Sequence, residues 1–376
     1  MEGTSGPVVV IGAGLAGAAA AWRLAARGRQ VVLVEAATPA HAGGSSHGSA
    51  RIFRHAYDDP FYVGLTARAL SGWRELEAES GRAILTTTGG LDAGSGRGLS
   101  AIAAALAVHG LTSELLDPQA ARERWPQLAF EGPVLHQPAA GVVDAAVAVD
   151  AMVSEAQRHG AEVLLGDRVV AVEQRGDGAL VHLERGGAIV AATVVVAAGA
   201  WLPEVAAALP ADVAERLPPL VVTQQQVFHF PFPAQPAQPT DWPVFVHQGE
   251  RTVYSLPGGR DAGGTGFKIA EHDGGVRTTA SERDGVVDPA SRDRIVHFVR
   301  RFLPDVDPTP YAETTCLYTS TANEDFVIDR AGPVVIASPC SGHGAKFAPV
   351  LGELIADAAM GGSVLDRFRL PAPALR

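Results

Sequence analysis

Basic charge, cysteine and long apolar runs are all scarce in this chain, and each shortage excludes a class of protein. Against 41 acidic residues stand only 30 lysines and arginines, a formal net charge of −11. No basic field is available to meet a phosphate polymer, so nucleic acid is not an expected partner. Two cysteines, Cys316 and Cys340, cannot build a disulfide framework and fit a reducing compartment. The longest apolar stretch, Ala188 to Leu202, is shorter than the roughly 20 residues of a bilayer crossing and carries Gly199 near its end. A membrane span is therefore not expected. Met1 to Gly6 lacks the positive flank of a secretory signal, and the apolar run Val8 to Ile11 is too short for its core. A cytoplasmic location follows as the expectation. No metal site is expected either.

With 376 residues, 47% of them hydrophobic, the chain can fill two or three cores of ordinary domain size. Its opening reads as a βαβ unit: a strand from Pro7 to Ile11, a glycine loop, a helix from Ala18 to Arg27 and a strand from Gln30 to Glu35. A helical pattern covers Tyr62 to Glu79. Short strands and an alanine-rich helix near Ser100 to His109 fill an insert from about Ile84 to Val143. A helix from Ala145 to Gly160 and alternating strands then lead to Thr193-Val194-Val195-Val196-Ala197-Ala198-Gly199-Ala200-Trp201, an apolar strand ending in a small-residue turn, as a central parallel strand covered on both faces requires. A Pro- and Gln-rich stretch, Leu217 to Pro243, marks a second departure. The strands that follow, Val244 to Gln248, Thr252 to Leu256 and Gly266 to Ile269, read as antiparallel sheet. Phe326 to Asp329, Val334 to Ala337 and a helix from about Lys346 to Met360 return the chain to the first sheet.

The glycines of Gly12-Ala13-Gly14-Leu15-Ala16-Gly17 supply, in turn, a tight turn, backbone room for a pyrophosphate, and close packing of helix on strand. Glu35 ends the next strand, where a carboxylate accepts hydrogen bonds from ribose hydroxyls. Strand, loop, helix and acid in that order mark an ADP-binding cradle, which NAD and FAD share. Three later features favour FAD without deciding it. The loop Gly43 to Arg54 brings small residues and cations toward a second part of the cofactor. The Thr193 to Trp201 strand and turn allows another close approach. Ser341 to Lys346 opens a helix whose dipole can stabilise the negative charge of a reduced flavin.

These features resemble the monomeric sarcosine oxidase and N-methyltryptophan oxidase group of the D-amino-acid oxidase superfamily. The resemblance runs from Val8 to beyond Lys346. It is carried by Gly44-Ser45-Ser46-His47-Gly48-Ser49-Ala50-Arg51-Ile52-Phe53-Arg54-His55-Ala56-Tyr57, Tyr254-Ser255-Leu256-Pro257, Lys268 with His272, Thr315-Cys316-Leu317-Tyr318-Thr319, and Ser341-Gly342-His343-Gly344-Ala345-Lys346-Phe347. It implies an α/β fold, α+β overall, with a discontinuous Rossmann-like FAD-binding domain (1–84, 144–216 and 317–376) and an antiparallel-sheet substrate domain (85–143 and 217–316). It implies an enzyme, an FAD-dependent oxidase of secondary or cyclic amino acids. Such an enzyme passes hydride from the C–N carbon to flavin N5, uses O2 as reoxidant, releases hydrogen peroxide and acts as a monomer.

By the same resemblance Cys316 anchors FAD as a thioether, while Cys340 reads as a core or turn residue. Arg54 and Lys346 grip the substrate carboxylate, arginine through its planar fork and lysine as a point charge. Lys268 and Arg51 lie on the two sides of the flavin, the lysine favouring oxygen activation. His47 and His272 complete the catalytic set, and Tyr254 and Tyr318 bound the substrate. Cofactor contacts fall to Gly12, Gly14, Leu15, Ala16, Gly17, Glu35, Ser45, Ser46, Arg51, Val169, Ala198, Gly199, Trp201, Cys316, Gly342, His343, Gly344 and Lys346.

The chain departs from the pattern at Ala50, where sarcosine oxidases carry threonine, and at Ala345, where they carry a bulky aromatic. Both changes imply a substrate larger than sarcosine, or a cyclic one. The loops Pro231 to Trp242 and Gly258 to Gly264 also differ from the pattern, and such loops often line substrate access. Three other readings share the motifs: a biosynthetic oxidase aromatising a cyclic imino acid, a flavin dehydrogenase with another electron acceptor, and a non-catalytic flavin-binding module.

Overall fold

In the computed structural model, which describes residues 6–96, 98–234, 238–258, 260–263 and 266–372, one six-stranded sheet gathers segments from both ends of the chain. Its order is Val327–Ala331, Val334–Ser338, Thr193–Val196, Val8–Ile11, Val31–Glu35, Glu162–Leu165. All neighbours are parallel except the first pair. Because side chains alternate along a strand, Val8, Val10, Leu33, Val195 and Val335 face one core. There they meet the helices Leu15–Ala26, Pro60–Ser80, Ala145–Arg158 and Ala348–Ala359. Val9, Val32, Val34, Val194 and Val196 face the other, covered by the antiparallel strands Val169–Arg175, Gly178–Leu183 and Ala188–Ala191. The expected central place of Thr193–Val196 is thus observed, with Val8–Ile11 on one side and Val334–Ser338 on the other.

A second sheet of nine strands runs Val276–Arg277, Val221–Pro231, Gly266–Glu271, Thr252–Pro257, Val244–Gln248, Gly90–Ala93, Val134–Gln137, Glu114–Leu116, with Ala312–Ser320 also paired to Val221–Pro231. The helix Pro289–Phe302, started by Pro289 and by the Asp288 carboxylate accepting from Ala290 and Ser291 N–H, packs Ile295, Phe298, Val299 and Phe302 beneath it. A small sheet joins Arg51–Phe53, Gly141–Val143 and Leu85–Thr87 between the two. No helix among the described residues is long and apolar enough to cross a membrane.

The structure corrects the sequence reading at four places. The first helix starts at Leu15, not Ala18, because the Leu15 N–H finds an acceptor in Ser46 Oγ at 2.9 Å. The Pro- and Gln-rich stretch contains an eleven-residue strand, Val221–Pro231. Its glutamines are buried because their amides find partners, Gln224 with Asp284 and Val286, Gln225 with Thr223. The strand Val244–Gln248 is antiparallel to Thr252–Pro257 as expected, but parallel to Gly90–Ala93 on its other edge. The last helix begins at Ala348, after a tight turn over Gly344–Phe347. Parts of the loops 231–242 and 258–264 lie outside the described residues.

Gly17 shows why the glycine loop admits no side chain. A Cβ there would lie 1.8 Å from Gly12 O, so helix and strand would have to separate. Gly17→Ala is expected to destabilise the fold by about 1–3 kcal/mol, the usual range for overpacking. A fall in thermal midpoint, together with weaker retention of cofactor on gel filtration, checks this.

Candidate active site

A cavity of about 940 Å³ runs from the C-terminal edge of the six-stranded sheet to the face of the nine-stranded one, at the upper end of the roughly 300–1,000 Å³ of ligand pockets. At its inner end lie Gly12, Gly14, Leu15, Ala16 and Glu35. Glu35 is buried, its Oε2 accepting from Ala13 N at 2.7 Å and its Oε1 from Ala37 N at 2.8 Å. Each carboxylate oxygen has a further lone pair, available to a ribose hydroxyl. Gly12 adopts φ +99, and a Cβ on Gly14 would come 2.9 Å from Ser46 Oγ, so the small residues form a cradle that side chains would fill. Val169, Ala198, Gly199 and Trp201 continue the wall. Two hydroxyls on this wall, Ser45 Oγ and Ser338 Oγ, are buried without a hydrogen-bond partner.

Two arginines hold the loop over the middle of the cavity from opposite sides. Arg51 donates to the carbonyls of Ala50 (2.9 Å), Ser45 (3.1 Å) and His47 (2.6 Å). Arg283 donates to the carbonyls of Ala42 and Gly43 and to both oxygens of Thr315. It thereby ties the loop to the residue before Cys316.

At the far end, Cys316 and Tyr318 share one face of the strand Ala312–Ser320 and border the cavity with Tyr254. The two phenols share a hydrogen bond, and burial pushes both pKa values up, Tyr254 to about 12 and Tyr318 well above its ordinary value. Both stay neutral hydroxyls near neutral pH. Lys268 sits on Gly266–Glu271, paired on both edges rather than at the sheet's rim. It is 6% exposed, and its Nζ donates to Ala50 O at 3.2 Å. Gly342, at φ +70, brings the C-terminal turn against this group; a Cβ there would meet the Tyr318 ring at 2.6 Å and His272 at 2.9 Å. Burial lowers the His272 pKa, and Lys346 and Arg54 lower it further against the pull of Asp273.

Arg54 and Lys346, 292 positions apart in sequence, flank one ring. The Arg54 Cζ lies 5.3 Å and the Lys346 Nζ 5.5 Å from the Tyr57 centroid, and all three residues border the cavity. Hydrogen bonding fixes the surrounding protons. His343 Nε2 faces the Glu324 carbonyl at 3.0 Å, so it carries the proton. Burial and Lys346 hold the ring's pKa down to about 3, so the ring is neutral and its Nδ1 accepts from the Tyr57 hydroxyl at 3.0 Å. The Tyr57 oxygen in turn accepts from Lys346 Nζ at 3.0 Å.

Burial and the Arg54 charge also hold the Lys346 pKa well below its ordinary value. Since the depressed pKa is that of a cation, the charge is present at low pH and lost as pH rises through it. We therefore expect the KM for a carboxylate substrate to climb on the alkaline side, by about tenfold or more once the charge-assisted bond is lost. A KM–pH profile checks this, with Lys346→Arg moving the rise out of range.

Of the residues singled out in sequence, all border the cavity except Gly17, which packs the helix, and His47, whose carbonyl holds Arg51. Cys340 lies in the turn as expected, and it also borders the cavity. Its thiol is pushed up by burial. The sequence reading missed Tyr57, Ser338, Arg283 and the buried Asp92, which pairs with Arg54 at 3.3 Å. The available signal for Asp92 was a lone acid in an otherwise apolar strand, since a buried charge needs a partner.

Comparison with known proteins agrees with this geometry. Residues 7–358 match the model of the FAD dependent oxidoreductase family. The chain is 33% identical to the monomeric sarcosine oxidase of Streptomyces avermitilis, over 97% of this chain and 96% of that one. It is 29% identical to the N-methyl-L-tryptophan oxidase of Yersinia pestis, over 93% of each. Among solved structures it resembles NikD, an unusual amino acid oxidase essential for nikkomycin biosynthesis, with a TM-score of 0.83 at 25% identity over 99% of this chain and 98% of that one. The cavity fits FAD: a glycine cradle with a ribose-level carboxylate at one end, unpartnered serine hydroxyls along the wall, and room for a ring system beyond Arg51.

Proposed function

This chain belongs to the FAD dependent oxidoreductase family, and from that premise we propose that it is an oxidase of a secondary or cyclic amino acid. It is an FAD-dependent amino acid oxidoreductase. What narrows the substrate is one observation: Arg54 and Lys346 converge on Tyr57 in a cavity whose opposite end is the ADP cradle. Two cations beside one ring on the cavity wall suit a carboxylate.

Bound FAD would accept the hydride of the C–N carbon and, on reoxidation by dioxygen, yield hydrogen peroxide. The chain's own residues do the rest. Arg54 and Lys346 orient the carboxylate, while Tyr254 and Tyr318 bound the amine and exclude water. Arg51, Lys268, Arg54 and Lys346 together disfavour a protonated amine, so the substrate reacts as the free base. Cys316 is the residue we assign to covalent attachment of the cofactor. His272 lies beside Tyr318, its neutral ring shaping the amine's surroundings.

A larger or cyclic substrate is favoured by Ala50 and Ala345, two small residues on the cavity wall. An oxidase of a cyclic imino acid in a biosynthetic route is the second reading they support. Anaerobic titration with sarcosine, N-methyltryptophan, proline, pipecolate and piperideine-2-carboxylate tests the proposal. Bleaching of flavin absorbance by at least one, followed by peroxide on admitting air, is the expected result. Bleaching without peroxide would make the protein a dehydrogenase, and no bleaching by any amino acid would leave only cofactor binding.

A further inference from the structure

Asp92 is a carboxylate that the proposed chemistry does not use. It lies on the strand Gly90–Ala93, 1% exposed, and is not among the residues bordering the cavity. It cannot touch a substrate there. Its Oδ1 accepts from Arg54 Nη1 at 3.3 Å, and its Oδ2 from Gln137 Nε2 at 2.8 Å. Gln137, equally buried, turns its Oε1 to the main-chain N–H of His55 at 3.0 Å. Side chain and backbone of the Arg54–His55 step are thus held from the same two strands of the nine-stranded sheet.

A buried charge without a partner is strongly disfavoured, so Asp92 needs Arg54 as much as Arg54 needs a fixed acceptor. Arginine carries considerable rotamer freedom, and a fork is useful to a planar anion only when its plane is set beforehand. The Ala56 carbonyl takes a further bond from the same Nη1, and Tyr57 lies beside the guanidinium. With Nη1 engaged on Asp92 and Ala56, Nη2 and Nε are the donors left to aim.

We infer that Asp92, supported by Gln137, is the positioning residue that presents Arg54 to the substrate carboxylate. This rests on the reading that Arg54 receives that carboxylate, and two sets of variants keep the two claims apart.

Acetate binding, followed by perturbation of the flavin spectrum in the holoenzyme, reads the carboxylate grip alone. Arg54→Gln should weaken it; if it does not, the grip itself has been misassigned and the inference goes with it. Asp92→Asn should weaken acetate binding about 10- to 100-fold, the range for losing a hydrogen bond to a charged group. With the amino acid substrate, its loss should fall on KM rather than kcat. In the Arg54→Gln background, Asp92→Asn should add nothing. Wild-type acetate binding in Asp92→Asn, or an equal effect with and without Arg54, would overturn the inference while leaving the grip intact. Should Asp92→Asn fail to fold, Gln137→Glu keeps an acceptor for the His55 N–H and removes the donor to Asp92, and the same cycle applies to it.

Discussion

Replacing Lys268 by Met is expected to slow reoxidation of the substrate-reduced enzyme by oxygen about 10²- to 10³-fold, the range for removing one preorganised charge-stabilising donor. Reduction by substrate should change far less. Lys268 is 6% exposed on a strand paired along both edges, so water screens its charge less than it would at the surface, and the charge acts more strongly within the cavity. The first electron to reach dioxygen makes an anion, and a cation at that point lowers its energy. Methionine keeps much of the apolar stem and removes the charge. The carbonyl that Lys268 leaves, Ala50 O, still accepts from Arg51 at 2.9 Å, so the loop retains its anchor. Stopped-flow mixing separates the two half-reactions. Equal losses in both would make Lys268 a structural residue rather than the oxygen-activating one.

Cys316→Ala is expected to move all of the yellow colour from the acid-precipitated pellet to the supernatant, whereas Cys340→Ala leaves it in the pellet. The two thiols both border the cavity, and three observations separate them. Cys316 shares its strand face with Tyr318 and packs with it and Tyr254 in one cluster. It follows directly on Thr315, which Arg283 ties to the loop at Ala42 and Gly43. Cys340 has its sulfur taken by Thr319 N at 3.4 Å and is held toward the neutral thiol by burial. Removing one sulfur from a nearly buried side chain costs about 1 kcal/mol, so release of colour would report a lost bond and not an unfolded protein. Colour remaining in the pellet of the Cys316 variant would reject it as the anchor.

Much of the nucleotide end was legible because its signal is local. Gly12, Gly14 and Gly17 sit within one loop under a steric constraint, and Glu35 follows at the end of the next strand, where a hydrogen-bond acceptor is required. Lys268 drew notice for a different reason, since a charge within Gly266-Phe267-Lys268-Ile269 is costly to bury, and the structure places it on a strand paired along both edges. Asp92, Gln137 and Arg283 were not legible. Their partners are distant in sequence: Asp92 meets Gln137 across 45 positions because Gly90–Ala93 pairs with Val134–Gln137, and Arg283 reaches Ala42 and Gly43 across some 240. The strand Val221–Pro231 misled for the same reason. Three consecutive glutamines look like loop until their distant partners are in place: Asp284 and Val286 accept from the Gln224 amide, and the Asp288 N–H donates to Gln226, all some 60 positions away.

The order of the six-stranded sheet also sets a schedule for synthesis. Val8–Ile11 leaves the ribosome first, yet its neighbour Thr193–Val196 follows some 180 residues later, and Val334–Ser338 later still. At about 5–20 residues per second, the glycine loop waits roughly 15–65 s for the last strand beside its own sheet. Until then half of the dinucleotide's cradle exists without its walls. Cofactor capture is thus a late event, and a nascent chain stalled before the final strands should be a target for proteases that the finished, loaded protein resists.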